Sequence, residues 1–545
     1  MAIKRYFALN DNTITNAYMS DLSTLATGSN MGAADILEVF SIYGQTISAS
    51  ATSSAELSRV LIKFDVTGSG FDSIKSERTA GRIPSSGSVN FYLRLFNAQH
   101  ARTVPVDYTL DIAPVQHHWQ EGSGLDMDTY KDLTKDRNGS NWMSASNSPD
   151  RAWTTPGGDY LATYNYSQDF STGLEHLEVD ITPLVEGWIA GTLANYGVGI
   201  KLSASHEAYY SSSVWGFSGV KYVDGILLNT TGAQKSYYTK RFFGRNSQYF
   251  FKRPAIEARW DSSRKDNRGS FYYSSSLAPS ELNLNTLFLY NRIRGRLTNI
   301  PGIGTGNIYV SIYSGSALNT EPSGSRIKLA ADGTHVGSTY PYVVTGSHVS
   351  TGIYSCKFAI TGHSGPRSTV GAAYDPGTGS LTKLFDVWHD NAGTQFFTGT
   401  IVPKKLDAQD YNDSERYVTK VVNLKSEYRS NENARFRVFA RQKGWSPTIY
   451  TVASRATEAL PIESGSYRVV RLIDNYEVFP HATGANVVSH SMMSCDTSGN
   501  YFDLDMSLLE PGYAYGLKFA YYNELLQDWV EQPEIFKFMV DEYER

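Results

Sequence analysis

The stretch from Leu177 to Leu202, LEVDITPLVEGWIAGTLANYGVGIKL, constrains the fold more than any other part of the chain. A strand runs directly into a helix start, with Thr182 expected as N-cap and Pro183 at the first helical position, where a missing N–H costs nothing. Leu184, Val185, Trp188 and Ile189 form an apolar stripe at spacings of three and four, and Gly191 ends the helix. A second strand follows, with Val198, Ile200 and Leu202 facing one way. Elsewhere short apolar runs alternate with Gly, Ser, Thr, Tyr and Asn, the habit of all-β proteins. One short amphipathic helix in such a chain reads as a plug across the open end of a β-sandwich.

A chain of 545 residues is too long for one core and predicts about three domains. Lys and Arg number 49 against 54 Asp and Glu, a formal charge of −5, so neither nucleic acid nor an anionic membrane is expected as a partner. The start, MAIKRYFALNDNT, has no signal-peptide core, and no run approaches the roughly 18 apolar residues of a membrane span. Synthesis in a cytoplasm and no membrane insertion are the expectations. Cys356 shares the apolar side of its strand with Tyr354, Phe358 and Ile360 and reads as a small core hydrophobe, not a disulfide partner of Cys495.

Residues 1–262 are the most legible region. In RVLIKFDV, Val60, Ile62, Phe64 and Val66 alternate with Arg59, Lys63 and Asp65, which predicts a half-buried strand. SVNFYLRLF repeats the pattern through Val89, Phe91, Leu93 and Leu95, and YTLDIAPV and HHWQEG continue the sheet. Residues 121–175 read as a long polar insertion carrying Trp142 and Trp153, and RPAIEARW closes the region with Ile256, Ala258 and Trp260 inward.

The ordered series LSRVLIKFDV, SVNFYLRLF, HHWQEGSG, DITPLVEGWIAG, VGIKL and KRPAIEARWDSSRKDNR resembles the DNRLRE-type domain, a jelly-roll related to a carbohydrate-binding module family. The family's hallmarks correspond to Leu61–Phe64, Trp119 with Glu121, Asp180–Trp188, and Arg253 with Pro254. The chain departs from the pattern in the long segment between Trp119 and Asp180 and again before Arg253. The resemblance implies a jelly-roll and, as in many members, glycan binding. The whole chain is also similar to virion structural proteins of tailed phages of marine bacteria, through MAIKRYFALNDNTITNAY, GSNMGAADILEVFSIYGQ and ARWDSSRKDNRGSFYYSSSLAP. That likeness implies a structural role in a phage particle.

The polar segment after Trp260, DSSRKDNRGSFYYSSS, reads as a linker or docking strap. Residues 270–405 contain LFLYNRIRG, NIYVSIY with Ile308, Val310 and Ile312 alternating, IYSCKFAI, KLFDVWHD and QFFTGTIV, and predict a second antiparallel sandwich. A second polar joint runs from Lys404 to Glu415. Residues 412–545 give a seven-strand tally that suits an immunoglobulin-like or fibronectin-like sandwich, including ARFRVFARQK with Phe436, Val438 and Ala440 opposite Arg435, Arg437 and Arg441. The fold class expected is therefore all-β: tandem antiparallel β-sandwiches, an N-terminal jelly-roll with one short helix and then two Ig- or fibronectin-like sandwiches.

No catalytic, cofactor-binding or metal-ligating residue is read from the motifs. His117 and His118 are adjacent, and adjacent residues on a strand point to opposite faces, so one metal cannot take both without a bulge. The acidic loop Asp126, Asp128, Asp132 and Asp136 lacks the glycine and terminal glutamate of an EF-hand loop at the required places. Asp503 and Asp505 share the polar face of one strand and read as solvent-facing charge. GIGTG at 302–306 lacks a Lys-Ser/Thr pair and a following helix, so it reads as a loop between strands.

The remaining signal is aromatic. Tyrosines number 37, and Tyr and Trp carry a large apolar face with a polar handle, which suits both protein interfaces and sugar stacking. Trp142, Trp153, Tyr209, Tyr210 and Trp215 are the residues expected at a glycan or protein contact. The function expected is a non-enzymatic building block of a tailed-phage virion, in the tail, neck or baseplate or decorating the capsid. Its expected partners are other virion proteins and further copies of itself. The alternative is an adhesin that attaches the particle to a host-surface glycan through the N-terminal domain. A polysaccharide depolymerase is a third reading, which needs a cleft with paired acids.

Overall fold

A computed structural model describes residues 2–18, 25–44, 54–68, 73–100, 104–125, 139–147, 150–210, 222–223, 226–233, 235–274, 279–315, 321–322, 326–330, 341–360, 383–403, 417–444, 449, 459–482, 490–523 and 526–543. The architecture is β throughout, and the chain divides into two compact units, Ala2–Asp261 and Ser262–Arg545. The acidic loop from Asp126 to Asp136, Trp215 and the joint at 404–415 lie outside the described residues.

The first unit is a β-sandwich. Its elements in order are β1 (Ile3–Thr15), β2 (Ile36–Gly44), β3 (Ser54–Phe64), α1 (Ile74–Thr79), β4 (Val89–Leu95), β5 (Tyr108–Pro114), β6 (Ser144–Asn147), β7 (Asp150–Ala152), β8 (Tyr166–Phe170), β9 (Leu177–Asp180), α2 (Thr182–Ala190), β10 (Val198–Leu202), β11 (Tyr222–Val223), β12 (Ile226–Leu227), β13 (Tyr237–Phe243) and β14 (Ala255–Trp260). The pairing order is β8-β5-β10-β3-β1-β14-β4-β9, with β2 joining β13 to β3. The long strand β1 belongs to both layers. Its residues Ile3 to Phe7 pair with β14, its residues Ala8 to Thr15 pair with β3, and the register shifts between Ala8 and Asn10. A bulge bends and twists a strand, and here it turns β1 from one layer into the other, leaving Leu9 outside. The core between the layers takes Val60, Ile62 and Phe64 from β3, Leu110 and Ile112 from β5, and Val198, Ile200 and Leu202 from β10. From the opposite side come Phe91 and Leu93 of β4, Val179 of β9 and Ile256 of β14.

The helix α2 adds Leu184, Val185 and Trp188 to this core, as its stripe requires, and Gly191 ends it in the left-handed conformation at φ 77°. The start differs from expectation. Ile181 occupies the N-cap and Thr182 is already helical, because the Asp180 carboxylate accepts from both the N–H and the hydroxyl of Thr182 at 2.9 and 2.6 Å. A second helix, α1, also stands in the unit, capped by the Ser73 hydroxyl, which accepts from Ser76 N–H. The one-helix expectation is corrected accordingly. Six residues with Ile74 as the main apolar anchor leave too short a pattern to read.

The half-buried reading of β3 is also corrected. Both faces of the strand are covered, and Arg59 and Leu61 are as buried as their neighbours. The cover comes from the polar segment after Val115. Trp119, Trp142 and Trp153 pack with Ile14, Leu57 and Leu61 into a second apolar cluster behind the sheet. A segment poor in apolar residues thus contributes three indoles to the interior.

Beyond Asp261, one six-stranded sheet runs in the order Asn285–Tyr290, Ile353–Phe358, Val344–Ser350, Ile308–Gly315, Lys383–His389, Gln395–Ile401, around a core that includes Ile308, Val310, Ile312, Tyr354, Cys356, Phe358 and Trp388. Cys356 and Cys495 are both buried and free, and burial pushes both thiols up, Cys495 to about 12. The last part has a four-stranded sheet that includes Asn433–Gln442 and Gly499–Asp505 and a six-stranded one that includes Gly465–Arg471, Tyr513–Asn523 and Phe536–Asp541. Phe502 stacks on Phe436 and Tyr467 at 5.0 and 4.0 Å inside it. Among the described residues ten strands form it where seven were expected, and Glu427–Arg429 pairs parallel to Phe536–Asp541, an exception to the antiparallel rule. Within DSSRKDNRGSFYYSSS, the described residues 262–274 form a strap and not a loose linker. Phe271 is core, and the Arg268 guanidinium is buried against Asp266 and Asp386, its Nη2 2.5 Å from Asp386 Oδ2.

Candidate functional site

A cleft of about 1030 Å³ lies in the first unit on the face of the sheet turned away from the core. Strand periodicity builds its floor. On β5 and β10, Leu110, Ile112, Ile200 and Leu202 point inward, so Asp111, Ala113, Gly199 and Lys201 point out. The register pairs Asp111 with Lys201 and Ala113 with Gly199. Lys201 and Asp111 are half-buried neighbours on one face. Next to them on β3 stands Arg59, whose guanidinium lies 3.2 and 3.3 Å from the two carboxylate oxygens of Glu207 and donates to Gly157 O at 3.1 Å. The same guanidinium lies 5.4 Å from the Trp142 ring centroid and 5.8 Å from that of Tyr160.

Tyr160 forms the aromatic wall. Its hydroxyl donates to Gly157 O at 2.8 Å, and burial pushes that hydroxyl up to about 12. Its ring, half-buried, lies directly over Gly199, where a Cβ would fall 1.9 Å from Tyr Cε1. A glycine in mid-strand marks a close approach of this kind. The Lys201 ammonium stands 5.7 Å from the same ring. Asn165, Asn229, Gln116 and Thr155 add polar groups around the rim.

The carboxylates at the cleft have different duties. Glu207 is tied to Arg59, and Asp159 accepts from Thr154 N–H and Thr155 N–H at 2.8 and 3.0 Å. Asp111 makes no side-chain hydrogen bond among the described residues. Burial, with help from the Glu207 carboxylate, pushes its carboxyl up, against the pull of Lys201. Burial, then Arg59, lowers the Lys201 ammonium. The arrangement offers donors, acceptors and an aromatic edge around a nearly charge-balanced floor, which is chemistry for holding a polar ligand.

The residues expected to present aromatic faces sit elsewhere. Trp142 is fully buried, and Trp153 is buried with its indole N–H donating to Asn141 O at 2.9 Å. Both are interior because they roof β3, so neither is a stacking platform. Tyr210 is buried beside Ala208, and Tyr209 is half-buried. His117 approaches Arg151 at 2.8 Å and Asp159 at 3.7 Å, while His118 is exposed. Asp503 is held by Arg435 at 2.7 and 2.9 Å, and Asp505 caps the 3-10 turn Met506–Leu508. Arg437 is likewise held by Asp496 at 2.7 Å, so two arginines of ARFRVFARQK are neutralised within the unit. The 302–306 loop is held by Tyr354, whose hydroxyl donates to Gly304 O. Among the described residues no group of three or more His, Cys, Asp or Glu side chains is placed to hold a metal ion, and no helix is long and apolar enough to cross a membrane.

Asp111, Lys201 and Tyr160 were not anticipated from the sequence. The signal was there in a polar residue between inward Leu110 and Ile112, another between Ile200 and Leu202, and Gly199 beside them.

No family profile matches the chain, and no curated protein matches it. Among solved structures, the chain is similar at 10% identity to titin domains z1z2 in complex with telethonin, over 50% of this chain and 91% of that one, with a TM-score of 0.13. Chicken CNTN1 FN1-FN3 domains align at 11% identity over 57% and 83%, also at 0.13. Salmonella alpha-2-macroglobulin reacted with methylamine aligns at 10% identity over 99% of this chain and 34% of that one, at 0.14. TM-scores this low carry no argument, and the fold stands on the chain's own sheets.

Proposed function

We propose that the chain is a non-enzymatic structural component of a tailed-phage virion whose first unit binds a host-surface glycan in the Tyr160 cleft. The observation that carries the binding half of this reading is the floor itself. A long open cleft, one aromatic wall and hydrogen-bonding side chains left unengaged on paired strands are what a polyhydroxylated ligand needs. The virion half rests on the likeness of the opening stretch and of the junction after Trp260 to phage structural proteins, and on a build of serial sandwiches. Binding rather than cleavage is favoured because Glu207 and Asp159 are committed to Arg59 and to backbone N–H groups, which leaves Asp111 without a second free carboxylate among the described cleft residues. A glycan array probed with the full chain tests the binding half: signals on bacterial surface sugars that vanish in Tyr160→Ala are expected, and a blank array removes it. Purified particles whose denaturing gel lacks this polypeptide remove the virion half.

A further inference from the structure

We infer that the cleft selects a neutral pyranose, gripped through a vicinal diol by Asp111 and Lys201 with its ring against Tyr160, over acidic or amino sugars; this rests on the glycan-binding reading above. Two adjacent hydroxyls offer two O–H donors and lone pairs at a spacing that one carboxylate and one neighbouring ammonium can satisfy together. Asp111 and Lys201 are direct cross-strand partners, half-buried on the same face, with no side-chain hydrogen bond to each other or to another described residue. Gly199, one residue away on the outer face, leaves room for Tyr160 to lie beside them. The charge of the floor is balanced twice, Lys201 against Asp111 and Arg59 against Glu207, and Asp159, the third carboxylate of the lining, is engaged by the N–H groups of Thr154 and Thr155. An acidic sugar would meet Asp111 and Glu207, and an amino sugar would meet Lys201 and Arg59. In a half-buried setting each mismatch is costly.

Calorimetric titration of the full chain tests this with three oligosaccharide sets of equal length: neutral hexose, uronic acid and hexosamine. The neutral set should bind, with affinity little changed between low and high salt. Periodate cleavage of its vicinal diols should abolish binding, and Asp111→Asn and Lys201→Met should each weaken it about tenfold or more while the thermal transition stays in place. Preference for the uronic acid set with steep salt dependence, preference for the hexosamine set, or neutral binding indifferent to both variants and to periodate would overturn the diol inference and leave glycan binding standing. Failure to bind any of the three sets would overturn both.

Discussion

At the level of single residues, the fold stores charge in fully buried positions, Glu257 and Asp11 among them. Glu257, on the outer face of β14, is fully buried and lies 2.8 Å from Arg5 Nε, 3.3 Å from Arg94 Nη1 and 2.6 Å from Arg259 Nε. Burial would raise this carboxyl, but Arg259, Arg94 and Arg5 outweigh it and hold it well below the usual carboxylate range. Removing its charge takes the shared counter-ion from three buried guanidinium groups, of which Arg94 and Arg259 keep Glu178. Glu257→Gln should therefore cost about 3–5 kcal/mol in chemical denaturation, and a loss under about 1 kcal/mol would contradict the buried network. Asp11 is the opposite case. It is buried, Arg245 N–H donates to its Oδ2, its Oδ1 has no partner, and burial raises it from 3.8 to about 7. The unfolded chain gives up this proton near pH 4 while the native chain keeps it to about 7. The unfolded state then binds fewer protons in that window, so this group's contribution to stability is full below about pH 4 and is lost as pH rises to 7. Asp11→Asn should flatten that part of the pH–stability curve and raise the melting temperature at pH 7 and above. An unchanged pH profile would show that Asp11 titrates normally.

At the scale of elements, periodicity located the inward faces and was blind to what covers the outward ones. Val89, Phe91, Leu93 and Leu95 of β4 and Val198, Ile200 and Leu202 of β10 all enter the core, as alternation requires. Nothing in the alternation of β3 reveals that Trp119, Trp142 and Trp153 return from far along the chain to roof it. The same long-range cover explains why Trp142 and Trp153 are interior while Tyr160, a few residues on, lines the cleft. Local chemistry likewise fixed the end of α2 at Gly191 but misplaced its start by one residue, since it points to Thr182 as the N-cap while the Asp180 carboxylate takes the Thr182 N–H and Ile181 occupies the cap. Asp180→Ala should cost about 1 kcal/mol through loss of the bonds to Thr182, whereas Gly191→Ala should cost about as much through strain at positive φ, with nothing nearby to clash. Urea melts of the two variants check both, and a neutral Asp180→Ala would return the cap to Thr182.

For the whole molecule, the sequence announced serial sandwiches, and the division falls at Asp261, beside the expected end of the first region. The two cores on either side of it are built from different residues, so residues 2–261 expressed alone should melt cooperatively; a fragment without a cooperative transition would contradict the division. The cleft belongs wholly to this first unit. The cleft was less legible than the fold because three strands far apart in sequence each supply one or two floor residues, and only the register brings Asp111 beside Lys201. The most direct test of the account is a titration of the full chain with host-surface polysaccharide, following bound ligand and newly formed reducing ends in the same samples. Saturable binding that is lost in Tyr160→Ala, with no rise in reducing ends, is the predicted result; release of fragments, or no binding at all, would contradict it.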